Sequence, residues 1–227
     1  SILVKELNLS TSDVMKAVNK KLDNGGYDNA ESIRASVKAV LDKIEASTPS
    51  ISKLENTTGG IKLSWNKVSG VYGYRIYQKT SNGWKRIKDT TATSFTDSAV
   101  SANQTKTYTI RCIDKNGNTI SGFNSKGWSK KYTPVAPTIS KLENTSGGIK
   151  LSWNKIAGVY GYRLYYKTSS GGWKRFKDTT ATSFTDSGVS PNRTETYTIR
   201  CIDKNGKTIS GFNSKGWSKK YTVLNSC

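Results

Sequence analysis

The sequence predicts a mainly β protein, with two β-sandwiches in tandem preceded by a small α-helical hairpin. Three observations predict it. Residues Ile51 to Tyr132 return as Ile139 to Tyr221 with about a dozen substitutions, which marks a duplicated structural unit. Within each copy, runs rich in Thr, Tyr, Val, Ile and Trp alternate with clusters of Gly, Asn, Asp and Ser, and no window shows a helical period. Ahead of the first copy, apolar residues recur at helical spacing in two stretches that flank Gly25-Gly26.

From the start of the chain, residues 2 to 7 (ILVKEL) alternate weakly and suit an edge strand or an extended arm. Ser10, Thr11 or Ser12 can cap a first helix that places Val14, Met15, Val18 and Leu22 on one face, with Gly25-Gly26 as its stop. Asp28 followed by Glu31 has capping-box spacing for a second helix, which carries Ile33, Val37, Val40, Leu41 and Ile44 and runs to about Ala46. Residues 1–48 form a hairpin without a disulfide or metal ligands, and a unit this small buries too little to be stable alone. It therefore needs a partner, whether copies of itself, a larger assembly or the first sandwich. A remnant of a bigger domain fits equally well.

A short linker at Ser47-Thr-Pro-Ser50 leads into the first unit, 51–133. Thr133-Pro-Val-Ala-Pro137 leads into the second, 138–223, and its two prolines favour an extended, semi-rigid connection. In the first unit Leu63 and Trp65 share one strand face, Tyr74 and Ile76 point inward on another strand, and Tyr108, Ile110 and Cys112 on a third. The Asp114-Lys-Asn-Gly117 cluster is expected to turn the chain into the last strand. The second unit repeats this pattern at an offset that grows by one residue where Gly171-Gly172 replaces Gly83, the mark of a surface turn.

Trp65, the Gly-Tyr-Arg-Ile-Tyr strand, Trp84, Phe95 and the Tyr108-x-Ile-x-Cys112 strand together resemble the bacterial version of the fibronectin type III module, an Ig-like sandwich. The resemblance covers roughly three quarters of the chain. It implies a tyrosine corner at Tyr108 and Tyr197, with each hydroxyl tying the preceding loop to the sheet. It also implies a spacer, adhesive arm or display domain, and it leaves the ligand open.

Charge divides the chain sharply. Residues 1–48 carry seven basic and seven acidic side chains, the first unit fourteen against four and the second fifteen against five, which accounts for the whole net charge of +20. A neutral hairpin thus precedes two cationic units that attract polyanions or negatively charged surfaces, although high charge also serves solubility. Strand alternation gathers part of it on one sheet face: Arg75, Tyr77 and Lys79 outward, with Thr109, Arg111 and Ile113 beside them and Trp84, Lys85 and Arg86 at the edge. The second unit repeats the face with Arg163, Tyr165, Lys167, Trp173, Lys174, Arg175 and Arg200. Cations around aromatic rings suit stacking of a sugar ring or a base with an anionic group bound beside it. The plainer expectation is that the rings pack on arginine stems. Trp128 and Trp217 are expected at the core or its rim.

The sequence argues against catalysis and against cofactors. Histidine is absent, no nucleophile has a base beside it in sequence, no cysteine cluster has zinc spacing, and Asp89, Asp97 and Asp114 sit in turn-like contexts. Gly59-Gly60 and Gly147-Gly148 precede strands, so they are turn glycines and not a phosphate loop. Cys112 and Cys201 occupy equivalent inward positions of different units and read as small core residues, while Cys227 is a candidate for an intermolecular bridge. No stretch is long and apolar enough to span a bilayer. No signal peptide is visible, and Ser1 suits either a chain trimmed of its initiator Met or a mature or truncated secreted product.

Three functions follow as expectations. The first is a non-enzymatic display protein whose hairpin docks on or assembles into a larger particle, such as a virion decoration or fibre, and whose arms contact cell-surface glycans. The second is a piece of a secreted bacterial surface or polysaccharide-degrading protein, with the units as spacers or carbohydrate binders. Nucleic-acid binding rests on net charge alone and ranks last.

Overall fold

The computed structural model describes residues 11–46 and 48–223. The expected arm at residues 2–7, the Ser10 cap and Cys227 lie outside these residues, as do the side chains of Val40, Leu41 and Ile44.

Two helices open the described chain, α1 (Thr11–Asp23) and α2 (Ala30–Ala46). Between them Gly26 takes φ 60°, a left-handed conformation that costs glycine little. The second helix begins one residue later than the capping-box spacing suggests. Asn29, not Asp28, stands before its first residue, and the Asn29 carbonyl accepts the Ile33 N–H at 3.1 Å. Glu31 is not reaching back to a cap; it pairs with Arg34, which also binds Asp23 of α1. Arg34 thereby clasps the two helices. Leu22 is buried, whereas Val14, Met15, Val18, Ile33 and Val37 are half-covered.

The first repeat contains β1 (Ile51–Thr57), β2 (Gly60–Trp65), β3 (Gly73–Thr80), β4 (Gly83–Thr90), β5 (Ser94–Asp97), β6 (Thr105–Ile113) and β7 (Trp128–Lys131). They form one sheet of order β1-β2-β5 and another of order β4-β3-β6-β7. The second repeat builds the same pair from β8 (Ile139–Thr145), β9 (Gly148–Trp153), β10 (Gly161–Lys167), β11 (Trp173–Thr179), β12 (Ser183–Asp186), β13 (Thr194–Ile202) and β14 (Trp217–Lys220), in the orders β8-β9-β12 and β11-β10-β13-β14. A three-stranded sheet against a four-stranded one makes each repeat a fibronectin type III-like β-sandwich.

Period-two alternation delivers the core side chains. In the second sandwich Ile149, Leu151 and Trp153 of β9 meet Tyr162 and Leu164 of β10 and Tyr197, Ile199 and Cys201 of β13 in one buried cluster. Trp153 and Tyr162 pack edge to face with centroids 5.6 Å apart, and Trp65 and Tyr74 repeat the contact at 5.4 Å. Such pairs add about 0.5–1.5 kcal/mol beyond the area they bury. Trp217 packs against the rim of the same core. Cys112 and Cys201 are both buried, and burial raises the thiol pKa of Cys201 to about 11. At the tyrosine corner the Tyr197 hydroxyl donates to Asp186 at 2.8 Å, and Asp186 also accepts the Gly188 N–H of the following loop.

One expectation about topology fails. The Asp114 cluster does make a turn, with Asp114 accepting the N–H groups of Asn116 and Asn118. That turn does not lead into the last strand. The chain instead runs across the outer face of the four-stranded sheet and enters β7 only at Trp128. The Thr109 hydroxyl donates to the Asn124 carbonyl at 2.9 Å, and Thr198 does the same to Asn213. Gly127 and Gly216, both at φ 72°, permit this close passage, since a Cβ at Gly216 would stand 2.7 Å from the Trp173 ring and from the Tyr197 carbonyl oxygen.

Candidate functional site

The outer face of the four-stranded sheet holds most of the side chains that the sequence singles out, arranged in cross-strand rows. In the first sandwich Arg111, Arg75 and Asp89 form one row, Thr109, Tyr77 and Arg86 the next, and Lys79 pairs with Trp84. The second sandwich has Arg200, Arg163 and Asp178, then Thr198, Tyr165 and Arg175, then Lys167 with Trp173. Lys85 and Lys174 are opposite Gln78 and Tyr166, so they belong to the other side of the sheet. The expectation that they join this face is corrected.

A β-bulge decides the electrostatics. Register slips by one residue between Ile76 and Tyr77, and between Leu164 and Tyr165, so that Ile87 and Phe176 are the extra residues on the edge strands. Side chains three apart on a regular strand point to opposite faces, but this slip puts Arg86 and Asp89 on the same one. Asp89 consequently binds Arg75 through two hydrogen bonds of 2.9 and 2.8 Å and Arg86 through a third of 2.7 Å. Asp178 binds Arg163 and Arg175 in the same way, with all three bonds at 2.8 Å. Hydrogen bonding from Arg75 holds the Asp89 carboxyl below its usual pKa, and Arg163 does the same for Asp178. These acids are ion-pair anchors within strands, not the turn residues the sequence suggests for Asp89.

The crossing segment covers the β6 side of the face, while Lys79 and Arg86 on β3 and β4 stay exposed. Thr109, Arg111 and Ile113, expected outward and accessible, are only 1%, 2% and 4% exposed. The Arg111 guanidinium sits 4.5 Å from the centroid of Phe123, and Arg200 lies 5.2 Å from that of Phe212. Burial lowers the pKa of Arg111. Trp84 meets Phe123 edge to face at 6.4 Å, and Trp173 meets Phe212 at 6.3 Å. Lys79 is 5.8 Å from the Trp84 ring centroid. In the second sandwich a cleft of about 50 Å³ is left among Tyr165, Trp173, Thr198, Arg200 and Phe212. That space holds a water or two, and it is far below the roughly 300 Å³ at which small-ligand clefts begin. Phe123 and Phe212, which complete the face, escaped sequence reasoning because a lone Phe in the polar stretch Ser-Gly-Phe-Asn-Ser carries no period.

Among the described residues no group of three or more His, Cys, Asp or Glu is placed to hold a metal ion. No described helix is long and apolar enough to cross a membrane.

No protein-family model matches the chain. Among curated proteins it is similar to exoglucanase B of Cellulomonas fimi, with 28% identity over 184 residues that span 73% of this chain and 16% of that protein. It is likewise similar to chitinase A1 of Niallia circulans, with 28% identity over 189 residues, 75% of this chain and 26% of the relative. The chain thus corresponds to a minor part of each. Among solved structures, the chicken interferon gamma receptor alpha chain aligns over 78% of this chain and 98% of its own, with 10% identity and a TM-score of 0.47.

Proposed function

We propose that the two sandwiches are a non-catalytic spacing segment of an extracellular protein that works at the surface of a polysaccharide. The observation that carries this reading is the internal engagement of the sheet face. Its arginines are committed to Asp89 and Asp178 or stacked beneath Phe123 and Phe212, and the cleft they leave is too small for a sugar. The chain has no histidine. Buried, weakly acidic thiols at Cys112 and Cys201 offer no nucleophile. The two enzyme relatives support the same reading, because each keeps most of its length outside the matched stretch. The test uses the full chain with Tyr77→Ala and Tyr165→Ala, incubated with amorphous cellulose and colloidal chitin. The expected results are unchanged retention relative to the native chain and no release of reducing sugar. Hydrolysis, or retention lost in this variant alone, would refute the reading.

A second reading has its own support in the half-covered apolar stripe of Val14, Met15, Val18, Ile33 and Val37. On this reading the hairpin docks on, or assembles into, a larger particle such as a virion, and the cationic sandwiches contact glycans from there. Light scattering of the full chain under reducing conditions tests its self-assembling form: a defined oligomer that Val18→Glu with Val37→Glu converts to monomer. A native monomer removes that form.

A further inference from the structure

Both repeats leave a tyrosine ring in solvent at the same position, away from the sheet face. Tyr72 and Tyr160 are each 60% exposed, inside the identical segment Val-Tyr-Gly-Tyr. Exposure of a whole tyrosine ring costs about 25 cal/mol per Å² relative to burying it, and the same exposure recurs in both copies. The backbone at this ring is fixed, with the Tyr160 N–H donating to the Ile202 carbonyl and the Tyr72 N–H to that of Ile113, both at 3.1 Å.

Gly161 explains what stands beside the ring. A Cβ there would lie 2.7 Å from the Thr179 carbonyl oxygen and 3.6 Å from the Thr180 Cα, so only glycine lets the tyrosine segment lie this close to the Thr180-Ala181-Thr182 turn. Gly73 has the same distances to Thr90 and Thr91. The turn itself is held by the Ala181 N–H on Thr179 Oγ1 at 3.1 Å and by the Thr182 carbonyl, which accepts the Trp153 N–H at 2.9 Å. Tyr162 lies below, 2% exposed, its hydroxyl accepting the Ile156 N–H at 2.8 Å. The result is a groove of about 420 Å³ whose lining includes Tyr160, Lys155 and the exposed Thr180 and Thr182. That volume is within the small-ligand range of about 300–1,000 Å³, and the first repeat carries the same residue types at Lys67, Tyr72, Thr91 and Thr93.

The lining selects a ligand class. An exposed ring face offers stacking to an apolar surface, the threonine hydroxyls both donate and accept, and no carboxylate lines the groove. Lys155 is its single cation, which is too little for a polyanion that binds by neutralising several charges. We propose that the groove at Tyr160, and its counterpart at Tyr72, each bind a neutral pyranose unit of a polysaccharide chain, with the tyrosine ring stacking on the sugar's C–H face and the threonine hydroxyls meeting its ring hydroxyls. Each site alone is weak. Two on one chain raise apparent affinity on a polymer by effective concentration, when both sites reach the same strand.

The spacer reading does not depend on this site, so each stands or falls by its own result. The probes are amorphous cellulose and colloidal chitin, with the partition constant of the full chain measured by depletion in 0.5 M salt, so that net charge contributes little. Retention of the native chain on at least one polymer and a loss of about tenfold or more in Tyr72→Ala with Tyr160→Ala are expected, with smaller losses in either single variant. Both rings are mostly exposed, so the variants keep the native far-UV spectrum. Titration of the native chain with the matching hexasaccharide should shift the Ala181 amide resonance. Absence of retention on both polymers would overturn the assignment, as would equal retention of the double variant or retention that vanishes at 0.5 M salt.

Discussion

Replacing Asp178 by asparagine isolates the ion-pair network created by the bulge in β11. Asp178 accepts three charge-assisted hydrogen bonds of 2.8 Å, and the side chains of Asp178 and Arg163 are 26% and 15% exposed. Asparagine keeps the volume but removes the charge and one acceptor oxygen. Exposed pairs contribute about 0–1 kcal/mol and breaking a fully buried pair costs about 3–5, so this partly screened cluster is worth about 2 kcal/mol. For a unit of this size such a loss lowers Tm by about 8–16 °C. The pH dependence gives the sign. Since the folded-state pKa of Asp178 is depressed, its contribution is complete above the unfolded value of about 3.9 and disappears as pH falls through the lower folded value. Calorimetry of the full chain should therefore show the second sandwich destabilised at pH 7 and the gap between native and variant closing below about pH 4. A gap below 0.5 kcal/mol at pH 7, or one that persists unchanged in strong acid, would refute the argument.

Three further outcomes follow from the same structure. Gly216→Ala places a methyl group 2.7 Å from the Trp173 ring at φ 72°, and overpacking with left-handed strain should cost about 2–4 kcal/mol in thermal unfolding and shift tryptophan emission. Tyr197→Phe removes the hydrogen bond to Asp186 and should cost about 1–2 kcal/mol; an unchanged midpoint would mean that the tyrosine corner adds nothing. In the full chain with Cys227 replaced by serine, an aromatic disulfide reagent at pH 8 should leave Cys112 and Cys201 unmodified until denaturant is added, since both are buried and burial raises both thiols. Rapid labelling under native conditions would contradict their burial.

The four-stranded sheet marks the limit of what strand patterning conveys. Alternation places Tyr74, Ile76, Tyr108, Ile110 and Cys112 inward, and they are all buried. Applied to the other side of the same strands it makes Arg111 accessible, because a strand's own pattern cannot tell which segment will lie over its outer face. The crossing chain that carries Phe123 is irregular and has no period to read. The grouping of Arg86 with Asp89 was hidden for a related reason, because the one-residue bulge that puts them on the same face is set by pairing between strands. Tyr72 and Tyr160 resemble core tyrosines in a string of letters, and only the fold leaves them in solvent.

By itself, then, the sequence determined the duplication, the β character of each copy, the helical hairpin ahead of them and the +20 charge on the repeats, since these follow from local composition and short-range periodicity. Tertiary structure decided which charged side chains are spent internally and which aromatic rings remain in water. Those outcomes depend on register, bulges and chain crossings between residues distant in sequence, and no local pattern encodes them.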